Sequence, residues 1–384
     1  MRSAALLVAA VSAALAAPAA QATPQIQAHR GGTVSNGKPT YSEETLQAYK
    51  HAAANGFVLE VDAKLTRDGV PVAVHDATLD RTTACSGEVR AYTLARLRSC
   101  RFDVLGSPGG GLRTRPTKPA GRIATIAEVL ELARLTGAKV NLEIKNLPTD
   151  PDWDTTPGYA NRVMDVVEGS GLPNSQLLIQ SFIPANLDVA KQRIPHVHTS
   201  LLTLGAGADT IAVADDKGYE WLSPQWPVPA GFVADVHRAG HPIVPYTIDQ
   251  RAAVKAAARA KVDALITDDP LMAAAAVGLK PARSLTAKLA RHTGRIEAKG
   301  RLTGAARCEG IVKLRVLGAK DLLRSKRTHL KATCTYQVAV SVPRGAPAEL
   351  LATVGFSGNA RVLPRLVGPK PVPAEVPLAV PHGG

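Results

Sequence analysis

Charged side chains that could carry out chemistry lie at the ends of two short apolar runs near the start of the chain. His29 and Arg30 in "QAHRGG" end the first run, and Glu60 and Asp62 in "FVLEVDA" lie near the end of the second. Because successive side chains of a β-strand point to opposite faces, the i, i+2 spacing puts both carboxylates on one side of the strand. These four residues are the first candidates for a functional site.

A third carboxylate and another cation repeat this pattern further along the chain. Glu143 and Lys145 have the same spacing in "NLEIK". Three carboxylates that converge on one point repel each other unless a cation lies between them, and oxygen ligands of this kind suit Ca²⁺ or Mg²⁺. We therefore predict a divalent-metal site formed by Glu60, Asp62 and Glu143.

His75 in "VPVAVHD" supplies a second imidazole. This run follows the second strand after only the turn "TRDG", and since parallel neighbours need a long crossover, it must return antiparallel. The return brings His75 to the level of Glu60 and Asp62. A hard cation and fixed positive side chains stabilise charge on phosphate oxygens, and two imidazoles can act as general acid and base near neutral pH. The set indicates phosphoryl chemistry.

The elements that must position these residues alternate regularly over 23–280. Short apolar runs alternate with Ala-rich helical segments, which is typical of a parallel sheet wrapped by helices, an α/β fold. Eight runs fit a closed (β/α)8 TIM barrel, whose functional residues lie at the C-terminal ends of the strands. The runs are "QIQAH", "FVLEVDA", "KVNLEI", "LLIQSF", "HTSLLTL", "YEWLS", "PIVPYTI" and "DALITD". A segment at about 78–122 interrupts the alternation, and we predict an insertion there.

The C-terminal part of the chain has a different texture. Alternating runs such as "GIVKLRVL" and "YQVAVSV" predict an all-β, Ig-like sandwich over 283–364. The proline-rich segment 365–384 predicts a disordered tail.

Charge is concentrated in this C-terminal part. Residues 283–384 contain 18 Lys and Arg against 5 Asp and Glu, a net charge of +13, whereas the remainder has 28 against 27. Such a field predicts adhesion to anionic polymers of the cell wall, such as teichoic acids, or to anionic lipid headgroups. Nucleic acid is not expected, since aromatic residues for base stacking are sparse. The alternative is that the charge only keeps the domain soluble.

The first 22 residues are typical of a secretory signal peptide. Arg2 precedes an apolar stretch, and "AQA" provides a cleavage site before Thr23. We therefore expect a secreted, extracellular protein, associated with the cell wall if the basic domain adheres there. Disulfides are possible in that environment. The positions of the four cysteines favour the pairs Cys85–Cys100 and Cys308–Cys334, since each pair lies within one compositional block.

Taken in order, the motifs resemble those of the glycerophosphodiester phosphodiesterase family. The elements that carry the resemblance are "AHRGG", "SEETLQAYKHAAANGFVLEVDAKLTRDGVPVAVHDATLDRTT", "NLEIK" and "ALITDDP", over roughly Gln27 to Pro270. The resemblance implies a (β/α)8 barrel and metal-dependent hydrolysis of glycerophosphodiesters to glycerol 3-phosphate and an alcohol. It implies that His29 and His75 form an acid/base pair. It also implies that Glu60, Asp62 and Glu143 bind the metal, and that Arg30 and Lys145 contact the phosphate.

Three further residues are expected around the site. The family's Glu-Asn-Thr appears here as "EET", so Glu43 matches its glutamate and Glu44 replaces its asparagine. Tyr246 stands where the family commonly has tryptophan, and Asp76 follows the second histidine. By contrast, we interpret the acidic pair before Pro270, residues 268 and 269, as caps of the helix that begins there.

Two other functions use the same residues. A phospholipase D-like or sphingomyelinase-like lyase would release a cyclic phosphate as its end product. A barrel that no longer catalyses would make the chain a cell-surface binding protein. The complete set of matched polar residues favours the hydrolase over the binding protein.

Overall fold

The computed structural model describes residues 23–101, 122–305, 307–318, 321–343, 346–347 and 349–373. The predicted signal peptide, residues 102–121 of the insertion and the last eleven residues of the predicted tail lie outside these ranges. Within them, no helix has both the length and the apolar composition needed to cross a bilayer.

The first unit alternates strands and helices in the predicted manner. Its strands are β1 Gln25–Ala28, β2 Val34–Ser35, β3 Lys38–Pro39, β4 Val58–Leu65, β5 Pro71–Ala73, β6 Val140–Ile144, β7 Leu177–Ser181, β8 His198–Thr203, β9 Trp221–Pro224 and β10 Ala264–Thr267. Its helices are α1 Leu46–Ala54, α2 Leu94–Leu97, α3 Ile126–Thr136, α4 Gly158–Gly169, α5 Pro184–Arg193, α6 Ala208–Lys217, α7 Phe232–Arg238, α8 Arg251–Arg259 and α9 Pro270–Ala276. Short 3-10 turns cover His29–Gly31, Val89–Ala91 and Asn174–Gln176.

Seven parallel strands form the wall of a TIM-barrel-like domain, in the order β10–β1–β4–β6–β7–β8–β9. β5 pairs antiparallel with β4, as the short turn before it predicts. Local signals set the helices: α3 begins with a capping box between Thr125 and Glu128 and ends at Gly137, whose φ of 78° suits glycine. Strands such as β6 are buried along their whole length, because the barrel interior covers one face and the helices cover the other.

The run "PIVPYTI" occupies the eighth position of the wall without forming a regular strand. Val244 N–H donates to the carbonyl of Leu222 on one side (2.8 Å), and Ile266 N–H donates to the carbonyl of Pro245 on the other (3.0 Å). Neither Pro242 nor Pro245 has an N–H to continue a ladder. The segment therefore closes the barrel through isolated bridges.

The second unit consists of two antiparallel sheets. Its strands are β11 Ser284–Leu285, β12 Lys288–His292, β13 Arg295–Thr303, β14 Ile311–Leu317, β15 Leu322–His329, β16 Thr335–Ser341, β17 Leu351–Phe356 and β18 Arg365–Pro371. One sheet pairs β13 with β11, β12 and β16, and the other has the order β15–β14–β17–β18. Buried side chains of both sheets, such as Val338 and Val354, belong to one apolar cluster. This unit, called the sandwich below, is all-β as predicted.

The prediction of a disordered tail from residue 365 is wrong for 365–371. These residues form β18, which pairs with β17 at the edge of its sheet. Pro369 and Pro371 suggested a segment that could not join a sheet, but an edge strand tolerates proline because one row of its backbone groups needs no partner.

Both predicted disulfides are present. Cys85–Cys100 lies in the insertion, and Cys308–Cys334 links two loops of the sandwich. The described part of the insertion forms a small apolar core together with Val72 and Val74, in which Leu79 and Leu97 are fully buried.

The sandwich covers the N-terminal ends of the barrel strands. Arg315 of β14 donates to the carbonyls of Arg134 (2.8 Å) and Leu135 (3.4 Å) at the end of α3. Arg365 donates to Asn55 Oδ1 just after α1, at 2.8 Å. Helices of a βα barrel run antiparallel to its strands, so both contacts lie at the end opposite the C-terminal ends of the strands.

Candidate active site

The first strand ends in a turn of three residues with left-handed backbone, Arg30 to Gly32. Arg30 has a φ of 51° and is followed by Gly31 and Gly32, which also have positive φ. A Cβ on Gly31 would lie 2.7 Å from the Cβ of Ala48 in α1, and one on Gly32 would lie 2.8 Å from Cγ of Pro270. The glycines thus let α1 and α9 close on the turn that presents the imidazole and the guanidinium.

Three carboxylates meet at the C-terminal ends of two neighbouring strands. One carboxylate oxygen each from Glu60, Asp62 and Glu143 lies within 4.8 Å of the other two. The parallel register pairs Asp62 with Glu143, and all three side chains are buried. The structure therefore brings the three predicted metal ligands together.

The arrangement of these oxygens fits a hard divalent cation. Asp62 Oδ2 and Glu143 Oε1 are buried and accept no aligned hydrogen bond, although Arg30 Nε lies 3.2 Å from the former and Lys145 Nζ 3.0 Å from the latter. Buried carboxylate oxygens without hydrogen bonds are costly. A cluster of such oxygens is the ligand set that Ca²⁺ or Mg²⁺ takes in proteins.

Burial and neighbouring charges shift the pKa values of the cluster. Burial and the charge of Asp62 raise the pKa of Glu60 to about 7, and that of Glu143 to about 8 despite Lys145. Burial also acts to raise the pKa of Asp62, but the surrounding cations, Lys145 foremost, hold it well below its ordinary value. The cluster retains protons at neutral pH that a divalent cation would displace.

His29 is oriented by an acidic partner that follows β10, the strand paired with β1. Its Nδ1 lies 2.7 Å from Asp268 Oδ1, which leaves Nε2 as the nitrogen able to exchange a proton with a ligand. Burial and Arg30 lower the pKa of His29, but Asp268 outweighs both and the pKa is raised.

The interpretation of Asp268 as a helix cap is wrong, whereas that of Asp269 is confirmed. Asp269 Oδ1 accepts a hydrogen bond from the Met272 N–H at 2.9 Å, directly before Pro270 at the first position of α9. Because Pro270 sets the position of the cap, Asp268 lies one residue too early. Its side chain reaches His29 instead.

The pKa of His75 is shifted in the opposite direction from that of His29. Its Nδ1 lies 2.6 Å from Asp76 Oδ1, so Asp76 contacts the site as expected. Burial, together with Arg30 and Lys145, lowers the pKa of His75 to about 4. The Val74 N–H donates to the Asp62 carbonyl at 3.2 Å, which places His75 at the level of the carboxylates, as the antiparallel return predicts.

The two predicted phosphate-contacting cations flank the carboxylates. The backbone N–H of Arg30 donates to Glu60 Oε2 at 2.8 Å, and its Nη1 donates to Glu43 Oε1 at 3.2 Å. Lys145 Nζ lies 3.6 Å from Asp62 Oδ1. Glu43 therefore holds the guanidinium of Arg30 at the edge of the cluster.

Glu44 packs beneath the metal ligands. Its φ is 59°, a region that asparagine tolerates better than glutamate. Its Oε1 accepts from the Asp62 N–H at 3.0 Å, and its Oε2 accepts from the Tyr49 hydroxyl. Burial and the charges of Asp62 and Glu60 raise the pKa of Glu44 well above its ordinary value.

A cavity of about 470 Å³ opens over the site. Its charged lining includes both histidines, Arg30, Lys145, Glu60 and Glu143. Six apolar or aromatic side chains also line it, together with polar groups such as Gln225, Thr247 and Asp249; the six are Leu147, Phe182, Leu202, Trp226, Tyr246 and Ile266. Tyr246 lies at the site as expected; its ring packs edge-on against Phe182, and its hydroxyl donates to the Thr203 carbonyl at 3.0 Å.

Sequence reasoning missed a polar layer beneath the site. Gln180 Nε2 donates to Glu60 Oε1 at 2.8 Å, and Asn141 Nδ2 donates to both Gln27 (2.7 Å) and Gln180 (2.9 Å). The signal was present, since Gln27 and Asn141 each precede a site residue by two positions on the same strand face. This layer orients Glu60 from below.

A TIM-barrel-like fold with an acidic cluster between two imidazoles defines the class of this protein, a phosphodiesterase-type barrel. The sequence model described as "Glycerophosphoryl diester phosphodiesterase family" matches residues 29–272, more than half of the chain. The chain therefore belongs to the glycerophosphodiester phosphodiesterase family. The match ends before the first strand of the sandwich.

Individual relatives agree with this assignment. The glycerophosphodiester phosphodiesterase of Caldanaerobacter subterraneus subsp. tengcongensis is 29% identical over 245 residues, 63% of this chain and 93% of that protein. That of Bacillus altitudinis is 29% identical over 255 residues, 64% and 95% of the two chains.

Solved structures support the fold. A phosphodiesterase from Oleispira antarctica, in complex with the product sn-glycerol-3-phosphate, superposes with a TM-score of 0.52 at 23% identity, over 66% of this chain and 97% of that chain. A glycerophosphoryl diester phosphodiesterase from Parabacteroides distasonis gives a TM-score of 0.52 at 20% identity, over 67% and 87%.

Proposed function

We propose that this protein is a metal-dependent glycerophosphodiester phosphodiesterase that releases glycerol 3-phosphate and an alcohol. The observation that carries the proposal is the cluster of Glu60, Asp62 and Glu143, whose two glutamates line one cavity with His29 and His75. Family membership and relatives of the same name support the substrate class.

The residues of the chain divide the chemistry between them. Arg30 and Lys145 neutralise and hold the phosphate. Asp268 and Asp76 each engage Nδ1 of a histidine and so set its tautomer and direction. One imidazole takes a proton from water or a neighbouring glycerol hydroxyl, and the other gives a proton to the leaving alkoxide.

The three carboxylates supply the metal site. Ca²⁺ or Mg²⁺ held by Glu60, Asp62 and Glu143 would stabilise the charge that develops on the phosphate oxygens. The oxygen-only ligand set favours these two ions over softer metals.

Turnover across a panel of glycerophosphodiesters, including polymeric ones, tests the proposal. The expected result is release of glycerol 3-phosphate with added Ca²⁺ or Mg²⁺ and its loss with a chelator. A cyclic phosphate as the end product would instead assign the lyase activity. Binding of these diesters without turnover would assign a non-catalytic binding protein.

We further propose that the protein is exported, as residues 1–22 predict. Two disulfides support this location, because such bonds persist mainly in oxidising compartments. Expression of the full chain should yield a secreted product whose N-terminus, measured by mass spectrometry, is Thr23. Retention of the uncleaved chain with four free thiols would contradict export.

We also propose that the sandwich, with an Ig-like strand arrangement, binds an anionic cell-wall polymer. A groove of about 630 Å³ between β15 and β16 is lined by the exposed cations Arg295, Lys326, Arg327 and Lys331. The sandwich contacts the barrel at the end remote from the active site. A polymer held in the groove therefore leaves the catalytic cavity accessible.

Co-sedimentation of the full chain with poly(glycerol phosphate) tests this partner. Lys326→Glu with Arg327→Glu should weaken binding at least about tenfold at low salt, and added salt should weaken wild-type binding, because the attraction is electrostatic. The matched control reverses two exposed charges on α8, Lys255→Glu with Arg259→Glu. Equal effects of the two double variants would contradict a specific groove, and binding only to vesicles of anionic lipid would assign a membrane partner instead.

A further inference from the structure

Arg81 joins two carboxylates at the rim of the active site. Its Nη1 and Nη2 donate to the two carboxylate oxygens of Glu43 at 2.8 and 2.6 Å. Its Nε donates to Asp76 Oδ2 at 2.6 Å, and Nη2 also reaches Asp76 Oδ1 at 3.1 Å. One planar guanidinium thus fixes the relative position of both acids, as its rigid fork allows.

Each of these carboxylates also holds a residue of the proposed chemistry. Asp76 Oδ1 lies 2.6 Å from His75 Nδ1, and Glu43 Oε1 accepts from Arg30 Nη1 at 3.2 Å. The contacts form one continuous chain, His75–Asp76–Arg81–Glu43–Arg30. It begins at an imidazole and ends at the guanidinium that holds the phosphate in the proposed function.

The insertion supplies a firm base for Arg81. Two residues before it, Leu79 is fully buried in the small apolar core that the insertion shares with Val72 and Val74. Two residues after it, the Thr83 N–H donates to the Leu79 carbonyl at 3.0 Å. The disulfide Cys85–Cys100 closes the same segment. The buried leucine, the backbone hydrogen bond and the disulfide together restrict the position of Arg81.

Arg81 also offsets the repulsion between the carboxylates of Asp76 and Glu43. Asp76 and Glu43 both contact the same guanidinium, so without it two carboxylates would approach each other with no cation between them. Repulsion would turn Asp76 away from His75 and would leave Glu43 with Arg30 alone.

We propose that Arg81 is a positioning residue for the reaction, which orients His75 through Asp76 and Arg30 through Glu43. The inference rests on the proposed function, because His75 and Arg30 act there. An ordinary surface ion pair in the same place would leave turnover unaffected.

Steady-state kinetics of Arg81→Met, Arg81→Lys and a matched control test the inference. The control, Arg90→Met, removes an exposed arginine of the same insertion that pairs with Glu88 at 2.6 Å. Arg81→Met should lower kcat about 10- to 100-fold, the usual effect of losing an outer hydrogen-bonding partner. Arg81→Lys should fall between Arg81→Met and wild type, since one ammonium keeps the charge but not the fork. Arg90→Met should match wild type.

A double-mutant cycle shows whether Arg81 acts through Asp76. The kcat of the double variant Asp76→Asn with Arg81→Met should lie within about threefold of the kcat of the slower single variant, because both changes break one chain of contacts. If the two single-variant losses of kcat multiply in the double variant, or if kcat is unchanged in Arg81→Met, the inference is overturned.

Thermal unfolding of each variant distinguishes loss of fold from loss of orientation. If Arg81→Met does not fold, Arg81→Lys replaces it in the kinetic test. A wild-type chain that releases no glycerol 3-phosphate would contradict the proposed function and this inference with it, whereas an active wild type with an unaltered Arg81→Met contradicts this inference alone.

Discussion

The barrel and the sandwich use charge in opposite ways. In the barrel, Arg30 and Lys145 are buried and lie within 4 Å of carboxylates, whereas on β15 of the sandwich Arg324, Lys326 and Arg327 are exposed to solvent. A buried charge depends on its partner, because removing one member leaves the other uncompensated. Exposed charges are screened and act nearly independently. The charges described in the barrel therefore act through fixed contacts with specific partners. The exposed charges of the sandwich act together, through the electrostatic potential at its surface.

The largest expected effect follows from loss of an imidazole at the site. His29→Ala or His75→Ala should each lower turnover by at least about a hundredfold with the fold retained, because general acid or base catalysis contributes that much. His198→Ala is the control, since His198 is an exposed histidine at the opposite end of a barrel strand. Near-normal turnover in both site variants would remove the acid/base assignment.

Loss of a metal ligand comes next. Glu143→Gln should lower metal-dependent turnover by at least about a hundredfold, because it weakens the hold on a cation that contributes several kcal/mol to catalysis. Glu309→Gln, the same change at an exposed site of the sandwich, should have no effect on turnover. Isothermal titration with Ca²⁺ and Mg²⁺ should show weakened binding in Glu143→Gln only. Undiminished affinity would exclude Glu143 as a ligand.

The same carboxylates predict a pH dependence of stability. The folded-state pKa of Glu60 is raised to about 7 and that of Glu143 to about 8, so the folded chain binds more protons than the unfolded chain between about pH 4.5 and 8. Their stabilisation is complete below the unfolded pKa and is lost as pH rises through the folded values. His75, with its lowered pKa, contributes with the opposite sign only below about pH 6.5.

Calorimetry of the chelated protein between pH 6.5 and 8 checks this prediction. The melting temperature should fall across this window, and a divalent cation should restore it most at pH 8, because the metal replaces the lost protons. Glu143→Gln cannot ionise and should flatten the decline. A melting temperature that rises with pH would contradict the assigned shifts.

A smaller effect is expected where the two units meet. Gly137 has a φ of 78°, and a Cβ there would lie 2.5 Å from Arg315 Nη1 of the sandwich. Gly240 also follows a helix with positive φ but has open space around it. Both changes to alanine should destabilise by about 1 to 2 kcal/mol from the left-handed backbone alone, and Gly137→Ala should cost more because the junction must also shift. Equal losses in chemical denaturation would show that the contact is loose.

The smallest effect should come from the sandwich charges. Lys326→Glu with Arg327→Glu should leave kcat for a small diester unchanged and should alter the free energy of unfolding by less than about 0.5 kcal/mol, as is usual for exposed positions. Kinetics and denaturation of the same preparation measure both quantities. A large loss of turnover would mean that the charges of the sandwich are coupled to the active site of the barrel.

Much of the site could be predicted because its signals are local. The spacing of Glu60 and Asp62, and of Glu143 and Lys145, places each pair on one strand face, and strand ends of a barrel converge. The partners of these residues could not be predicted in this way. His29 meets Asp268 across 239 positions of sequence, and a difference of one residue decided whether Asp268 or Asp269 capped α9.

The order of strands, the alternation of side chains and the segregation of positive charge were determined by the sequence itself, because each depends on residues near one another in the chain. Tertiary structure alone decided that Arg81 bridges Asp76 and Glu43, that residues 242–248 close the barrel through isolated bridges instead of a regular strand, and that a proline-containing segment completes a sheet as β18. Each of these outcomes depends on contacts between residues that are far apart in the sequence or on neighbouring strands. A local sequence pattern does not show which of these residues packing will bring together.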